Sequence, residues 1–197
     1  MKLFWAPQTR ALRAIWMLEE AGVEYDLELV DIRGAERDDS KEFLAASPMA
    51  KVPALVDGDA AMAESAAICL YVADRYCPGQ LAPKIDNAQR GQFLYWLMYT
   101  PAVVEPAMSE KFNEVEAAKV RSGWGDFDSM IETFDTALQD RTWILGEQFM
   151  AADVMLGSSA IFLRQFNMLP DTQNISDYAD RCLARAAYQR ANAAAGE

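Results

Sequence analysis

The sequence predicts a small α/β domain followed by an all-helical one, a chain that is α+β by class and mostly α by content. Three observations carry this. Over residues 1–76 the spacing of apolar residues switches repeatedly between a period of two and a period near 3.6. Beyond Pro83 only the helical period survives. Between them, Cys77-Pro78-Gly79-Gln80-Leu81-Ala82-Pro83 concentrates two prolines and a glycine, the strongest local breakers of regular structure. The expected domains are therefore residues 1–76 and residues 85–197, joined by a linker at 77–84.

The elements follow in order. Lys2–Trp5 is short, aromatic and closed by Pro7, as a buried strand would be. Ala11, Ala14, Ile15 and Leu18 recur at helical spacing until Gly22 ends the run. Tyr25–Leu29 alternates apolar and polar, the period of a half-buried strand. These three form a β-α-β unit, whose parallel strands need a crossover helix of about this length. A polar stretch, Arg33–Lys41, leads to a short helix at Glu42–Ala46 that Ser47-Pro48 stops. Val52–Val56 reads as a strand, Asp57-Gly58 as a turn and Ala60–Ala63 as the hairpin partner. Ser65 then opens an apolar helix to Tyr76, which completes the order β-α-β-α-β-β-α. In the second domain Asp86–Thr100, Ser109–Val120, Asp126–Leu138, Ala151–Phe166 and Ile175–Ala194, the last divisible into two, carry helical spacing. Pro101 and Pro106 are expected to kink or break the segment holding Trp96 and Val103.

Composition excludes several function classes. The 197 residues contain no histidine, so Ser–His and Cys–His catalysis and any His-ligated metal site are impossible, and no metal is expected. Net charge is −12 with no basic stripe, which argues against nucleic acid or an anionic membrane as partner. The longest apolar run, Ala66–Ala73, is too short to span a bilayer, and Pro7-Gln8-Thr9-Arg10 interrupts any signal-peptide core. Cys69, Cys77 and Cys182 lack CxxC pairing and read as small buried hydrophobes of a reduced, cytoplasmic protein.

Four short motifs stand out. Thr9, between the first strand and the first helix, reads as an N-cap. The same hydroxyl, with Arg10 and the free amides of a helix N-terminus, would also hold an anion. In Lys51-Val52-Pro53-Ala54-Leu55 the proline begins a strand; a cis Pro53 would turn the Val52 N–H and C=O toward an added peptide. Glu64-Ser65 reads as a cap with a flanking carboxylate, or as a pair taking the carboxylate and ammonium of an α-amino acid. Asp153 at the third position of its helix can bond back to the Met150 amide, and this is a folding signal.

Together these segments resemble the cytosolic glutathione S-transferase family of bacterial type along nearly the whole chain. The resemblance rests on Pro7–Arg13 with Trp16–Glu20, on Ser47–Leu55, on Glu64-Ser65 with Ile68 and Tyr71, and on Ala151-Ala152-Asp153. It implies a thioredoxin-like N-terminal domain, an all-helical C-terminal domain, a homodimer, and glutathione as cosubstrate. It also implies that Val52 pairs with the cysteinyl unit of glutathione, that Pro53 is cis, that Glu64 and Ser65 hold the γ-glutamyl end, and that Lys51 faces the glycyl carboxylate. Thr9 falls where many members place a thiolate-binding serine, and Arg10 beside it is the second candidate catalytic residue. Pro7, Val103 and Met108 would line the pocket for a small hydrophobic electrophile. The activity implied is conjugation of glutathione; the alternative is a glutathione- or ligand-binding protein without turnover. The chain departs from the pattern in having Thr9 for serine, no cysteine beside it for disulfide reduction, and Met150 in place of a capping Ser or Thr.

Overall fold

A computed structural model describes residues 1–34, 40–116 and 118–196. The chain divides into two units: Met1–Ala82 together with the chain from Ala184 onward, and Pro83–Leu183. The first break falls inside the expected linker. The second does not match the expectation of one helical domain over 85–197, because the last helix packs within the first unit.

In the first unit the strands are β1 (Lys2–Trp5), β2 (Asp26–Leu29), β3 (Ala54–Asp57) and β4 (Ala60–Ala63), and the helices are α1 (Ala11–Ala21), α2 (Lys41–Ala46) and α3 (Ser65–Tyr76). The sheet order is β2-β1-β3-β4, with β1 parallel to β2 and antiparallel to β3, and β3 antiparallel to β4. This is the thioredoxin-like arrangement. Successive strand residues face opposite sides, so β1 serves two cores. Phe4 packs with Phe43 of α2, ring centroids 5.3 Å apart, over Val30, Ala46, Ala50 and Ala54. Leu3, on the other face, is fully buried, and α1 and α3 pack against each other. The third strand begins at Ala54 rather than at Val52, since Pro53 has no N–H to give the ladder. Three side chains lock the hairpin to α3: Tyr71 (2.8 Å), Tyr76 (2.5 Å) and Arg75 (3.4 Å) all reach Asp57 Oδ2.

The second unit is helical: α4 (Arg90–Tyr99), a π-helical turn (Thr100–Val104), α5 (Glu105–Phe112), α6 (Phe127–Leu138), α7 (Ala151–Gln165) and α8 (Gln173–Leu183). Pro101 does not break the chain. The backbone stays right-handed through Thr100 and Val104, and the Glu105 N–H bonds to the Thr100 carbonyl, one residue beyond the α spacing. The expected helix at Ser109–Val120 instead spans Glu105–Phe112, because Pro106 lies in its first turn, where a missing N–H costs nothing. Asn113, and Glu114 at φ 53°, turn the chain out of it. The last helical stretch is two helices, α8 and then α9 (Ala186–Ala194) in the first unit, separated at Arg185, whose backbone is extended. Among the described residues no helix is long and apolar enough to cross a membrane.

Candidate functional site

Sheet register assembles the site. Phe4 pairs with Ala54, and Ala54 with Ala63. Trp5 pairs with Leu29, and the Val30 N–H bonds to the Trp5 carbonyl at 2.8 Å. The chain leaving β1 (Ala6–Arg10), the chain leaving β2 (Val30–Gly34), the chain entering β3 (Ala50–Pro53) and the chain leaving β4 (Glu64-Ser65) therefore emerge at one end of one sheet. Loops at the carboxyl ends of parallel strands are where ligands of open α/β sheets bind. Thr9, Arg10, Lys51, Val52, Pro53, Glu64 and Ser65, spread over 57 residues of sequence, thus belong to strand and helix ends that share that edge.

Each end has a local cause. The Thr9 hydroxyl accepts from the Ala11 N–H at 3.2 Å and donates to the Ala6 carbonyl at 2.6 Å, so its single proton is committed within the loop. Gln8, at φ 55°, makes the turn. Arg33 was not singled out in the sequence; its Nη2 donates to the Gln8 carbonyl at 3.2 Å and brings a second guanidinium beside Arg10's loop. Arg33 is itself placed by Asp31, whose Oδ1 accepts from the Arg33 N–H at 3.0 Å and the Gly34 N–H at 2.6 Å. These two bonds lower the Asp31 carboxyl pKa. A Cβ at Gly34 would meet Asp31 Oδ2 at 1.9 Å, so a larger residue there would displace the Asp31 carboxylate from this turn. The only sequence signal for Arg33 is a basic residue just past a strand end.

The Val52–Pro53 peptide bond is cis. Among the described residues nothing hydrogen-bonds to the Val52 backbone N–H or C=O. The preceding turn is pinned by Ser47, buried, whose Oγ accepts from the Lys51 N–H at 2.9 Å; the Lys51 side chain is exposed. Glu64 is the N-cap of α3 at φ 71° and ψ 117°, a backbone region that costs a residue with a Cβ about 1–3 kcal/mol. Intrahelical bonding starts with the Ile68 N–H to the Glu64 carbonyl at 3.0 Å. The amides of Ser65, Ala66 and Ala67 therefore point outward, and no acidic residue of α3's first turn offsets them. Ser65 itself is buried, 8% exposed, and among the described residues its hydroxyl has no partner. Arg10, Arg33, Lys51 and two helix N-termini share this edge with the carboxylates of Asp31 and Glu64, in a chain of net charge −12.

Residues 1–74 match the family described as "Glutathione S-transferase, N-terminal domain". Glutathione S-transferase GstA of Escherichia coli O157:H7 is 28% identical over 161 residues, 79% of each chain. The solved ternary complex of BphK, a bacterial glutathione S-transferase, superposes with a TM-score of 0.84 at 26% identity over 100% of both chains. A sphingomonad glutathione S-transferase complexed with glutathione superposes at 0.82 and 26% identity, over 100% of this chain and 99% of its own. The chain is similar to glutathione S-transferases along its whole length.

The remaining expected residues fall as follows. Pro7 is exposed in the first unit; in the second, Val103 is half-buried in the π-helical turn and Met108 is buried in α5. Asp153 is fully buried and accepts from the Ile144 N–H (2.8 Å), the Met150 N–H (2.9 Å) and the Tyr178 hydroxyl (2.8 Å). It joins the loop before α7 to α8. Met150 caps nothing with its side chain, so only the Asp153 half of the capping box operates. The three cysteines are buried and none is in a disulfide, and burial pushes the Cys69 thiol up to about 12, which leaves it unreactive.

Proposed function

We propose that this chain is a glutathione transferase, binding glutathione at the strand-end edge of its first unit and presenting the thiolate to a small hydrophobic electrophile. The observation that carries this is the set of groups there without a partner among the described residues: the Val52 N–H and C=O, the first amides of α3 and the Ser65 hydroxyl. Two peptide-backbone groups and an anion-binding helix end suit an extended tripeptide bearing carboxylates. Val52 pairs with the cysteinyl backbone, Ser65 and the α3 amides hold the γ-glutamyl carboxylate, and Glu64 takes the ammonium. Lys51 faces the glycyl carboxylate. The strained Glu64 backbone fits this role, since such strain concentrates where a side chain must be aimed.

Glutathione supplies the nucleophile. A free thiol has a pKa near 8.5, and lowering it by about two units takes about 2.7 kcal/mol of preferential thiolate binding. The α1 amides, Arg10, Arg33 and the Thr9 hydroxyl supply that on the scale expected for charge-assisted hydrogen bonds. The thiol proton goes to solvent, so the absence of histidine is no obstacle. The protein works as a homodimer in this reading.

The reading is tested by calorimetric titration of glutathione and by conjugation of an activated aryl halide, with wild type and Ser65→Ala. Loss of a charge-assisted bond is expected to weaken glutathione about tenfold without lowering thermal stability. A wild type that does not bind glutathione refutes the proposal; binding without turnover on any electrophile shows a binding protein instead.

A further inference from the structure

The α1 helix has an unfavourable charge pattern. Its last turn carries Glu19 and Glu20 and no basic residue, so two carboxylates sit at the negative end of the helix dipole. The compensation comes from the far end of the chain. Arg185 Nε and Nη2 meet Glu20 Oε1 and Oε2 at 2.5 and 2.7 Å, a fork-to-fork pair. Glu20, 6% exposed at its side chain, also accepts from Trp16 Nε1 at 2.8 Å. Arg190 Nε meets Glu19 Oε2 at 2.6 Å and its Nη2 the Glu19 carbonyl at 3.2 Å, while the Tyr25 hydroxyl donates to Glu19 Oε1 at 2.6 Å. Between the two pairs the Trp16 and Tyr188 rings meet edge to face, centroids 5.0 Å apart. Every one of these partners on α9 or at its N-cap lies more than 160 residues from its contact on α1.

We propose that α9 positions α1, and through it the thiol-binding loop Ala6–Arg10, with Arg185 as the chief positioning residue. This rests on the glutathione transferase reading. Eleven residues of helix form a rod about 16 Å long. One end of the rod carries the loop; the other is held by Arg185 and Arg190. Slippage at Glu20 is transmitted along the rod to Ala11, whose N–H the Thr9 hydroxyl receives. Misplacement of a reacting group by about 1 Å can cost on the order of a hundredfold in rate. The groups proposed for the rest of glutathione lie at the entry to β3 and at the start of α3; α3 packs on the flank of α1, while the loop Ala6–Arg10 continues directly into its first turn. The C-terminal helix therefore acts most directly on the loop that meets the sulfur end of the bound tripeptide.

The full-length chain is compared as wild type, Arg185→Ala and Arg185→Lys, with affinities for glutathione and for S-methylglutathione, which has no thiolate. Arg185→Ala is expected to weaken glutathione about tenfold and to raise the pKa of the bound thiol by about one unit, with S-methylglutathione changed less than about twofold. Arg185→Lys, which keeps the charge and loses the fork, falls between. Equal weakening of both ligands, or a lower melting temperature with both affinities unchanged, overturns the positioning role. If Arg185→Ala does not fold, Arg185→Lys and Arg190→Ala decide by the same affinity ratio. A wild type that binds neither ligand refutes the transferase reading itself, a result distinct from either of these.

Discussion

Thr9→Val tests where the thiolate gets its stabilisation. Valine keeps the β-branched shape of threonine and removes only the hydroxyl. In the structure that hydroxyl has one proton, given to the Ala6 carbonyl at 2.6 Å, and it receives the Ala11 N–H at 3.2 Å. To reach a thiolate it must surrender the bond to Ala6. A neutral bond is worth about 1 kcal/mol net and a bond to a charged partner about 1.5–3 kcal/mol. The exchange thus favours the thiolate by about 0.5–2 kcal/mol, or roughly one pKa unit. Thr9→Val is expected to raise the pKa of bound glutathione by about one unit, read by thiolate absorbance against pH. It should also lower stability by about 1 kcal/mol in urea denaturation, since the Ala11 N–H loses its cap. Thr9→Ser, which keeps the hydroxyl and frees its rotation, is expected to match wild type or fall below it. If wild type and Thr9→Val titrate alike, the hydroxyl never leaves Ala6, and the thiolate is held by the α1 amides, Arg10 and Arg33 alone.

Two predictions concern the helical unit. Asp153→Asn keeps an oxygen for Ile144 and Tyr178 but sets an amide against the Met150 N–H. It should cost about 2 kcal/mol, or 4–8 °C in melting temperature by calorimetry, and a change below about 0.5 kcal/mol would contradict the bonding described. Asp126 caps α6, and the Ser129 hydroxyl and amide, then Lys119, hold its carboxyl at about 2 against an ordinary 3.8. A carboxyl more acidic when folded stabilises the fold above the unfolded value and loses that contribution as pH falls. The anchoring of α6 is therefore expected to be intact above about pH 4 and to fade between 3.8 and about 2. Carboxyl NMR titration checks the value, and an Asp126 midpoint near 3.8 would show that the cap is not formed.

Much of this architecture was legible because its signals are local. The alternation at Tyr25–Leu29, the helical spacing after Thr9, and Ser65 opening a helix that ends at Tyr76 are statements about neighbours in sequence, and the backbone obeys them. Errors fell where two local rules competed. Pro106 was expected to interrupt a helix, and in the structure it starts one, because a first turn tolerates a missing N–H. The segment holding Trp96 and Val103, expected to kink or break at Pro101 and Pro106, does lose its α spacing after Tyr99, in a π-helical turn rather than a loop. The candidate site residues Thr9, Val52, Glu64 and Ser65 were visible as motifs, since each sits where a strand or helix begins or ends. Arg33 was not, as its role depends on a bond to Gln8 across 25 residues.

By itself the sequence determined which elements form and roughly where they end, and which chemistries were impossible: period, caps, breakers and the lack of histidine are properties of short segments or of the whole composition. Only the tertiary structure decided which ends meet. Register, not spacing, sets Phe4, Ala54 and Ala63 side by side. Only packing assigns α9 to the first unit and gives Glu19 and Glu20 their arginines. Even the direction of the Thr9 proton is a choice among acceptors that exist once the loop is folded. Partner selection depends on distance in space, and a sequence records only distance along the chain.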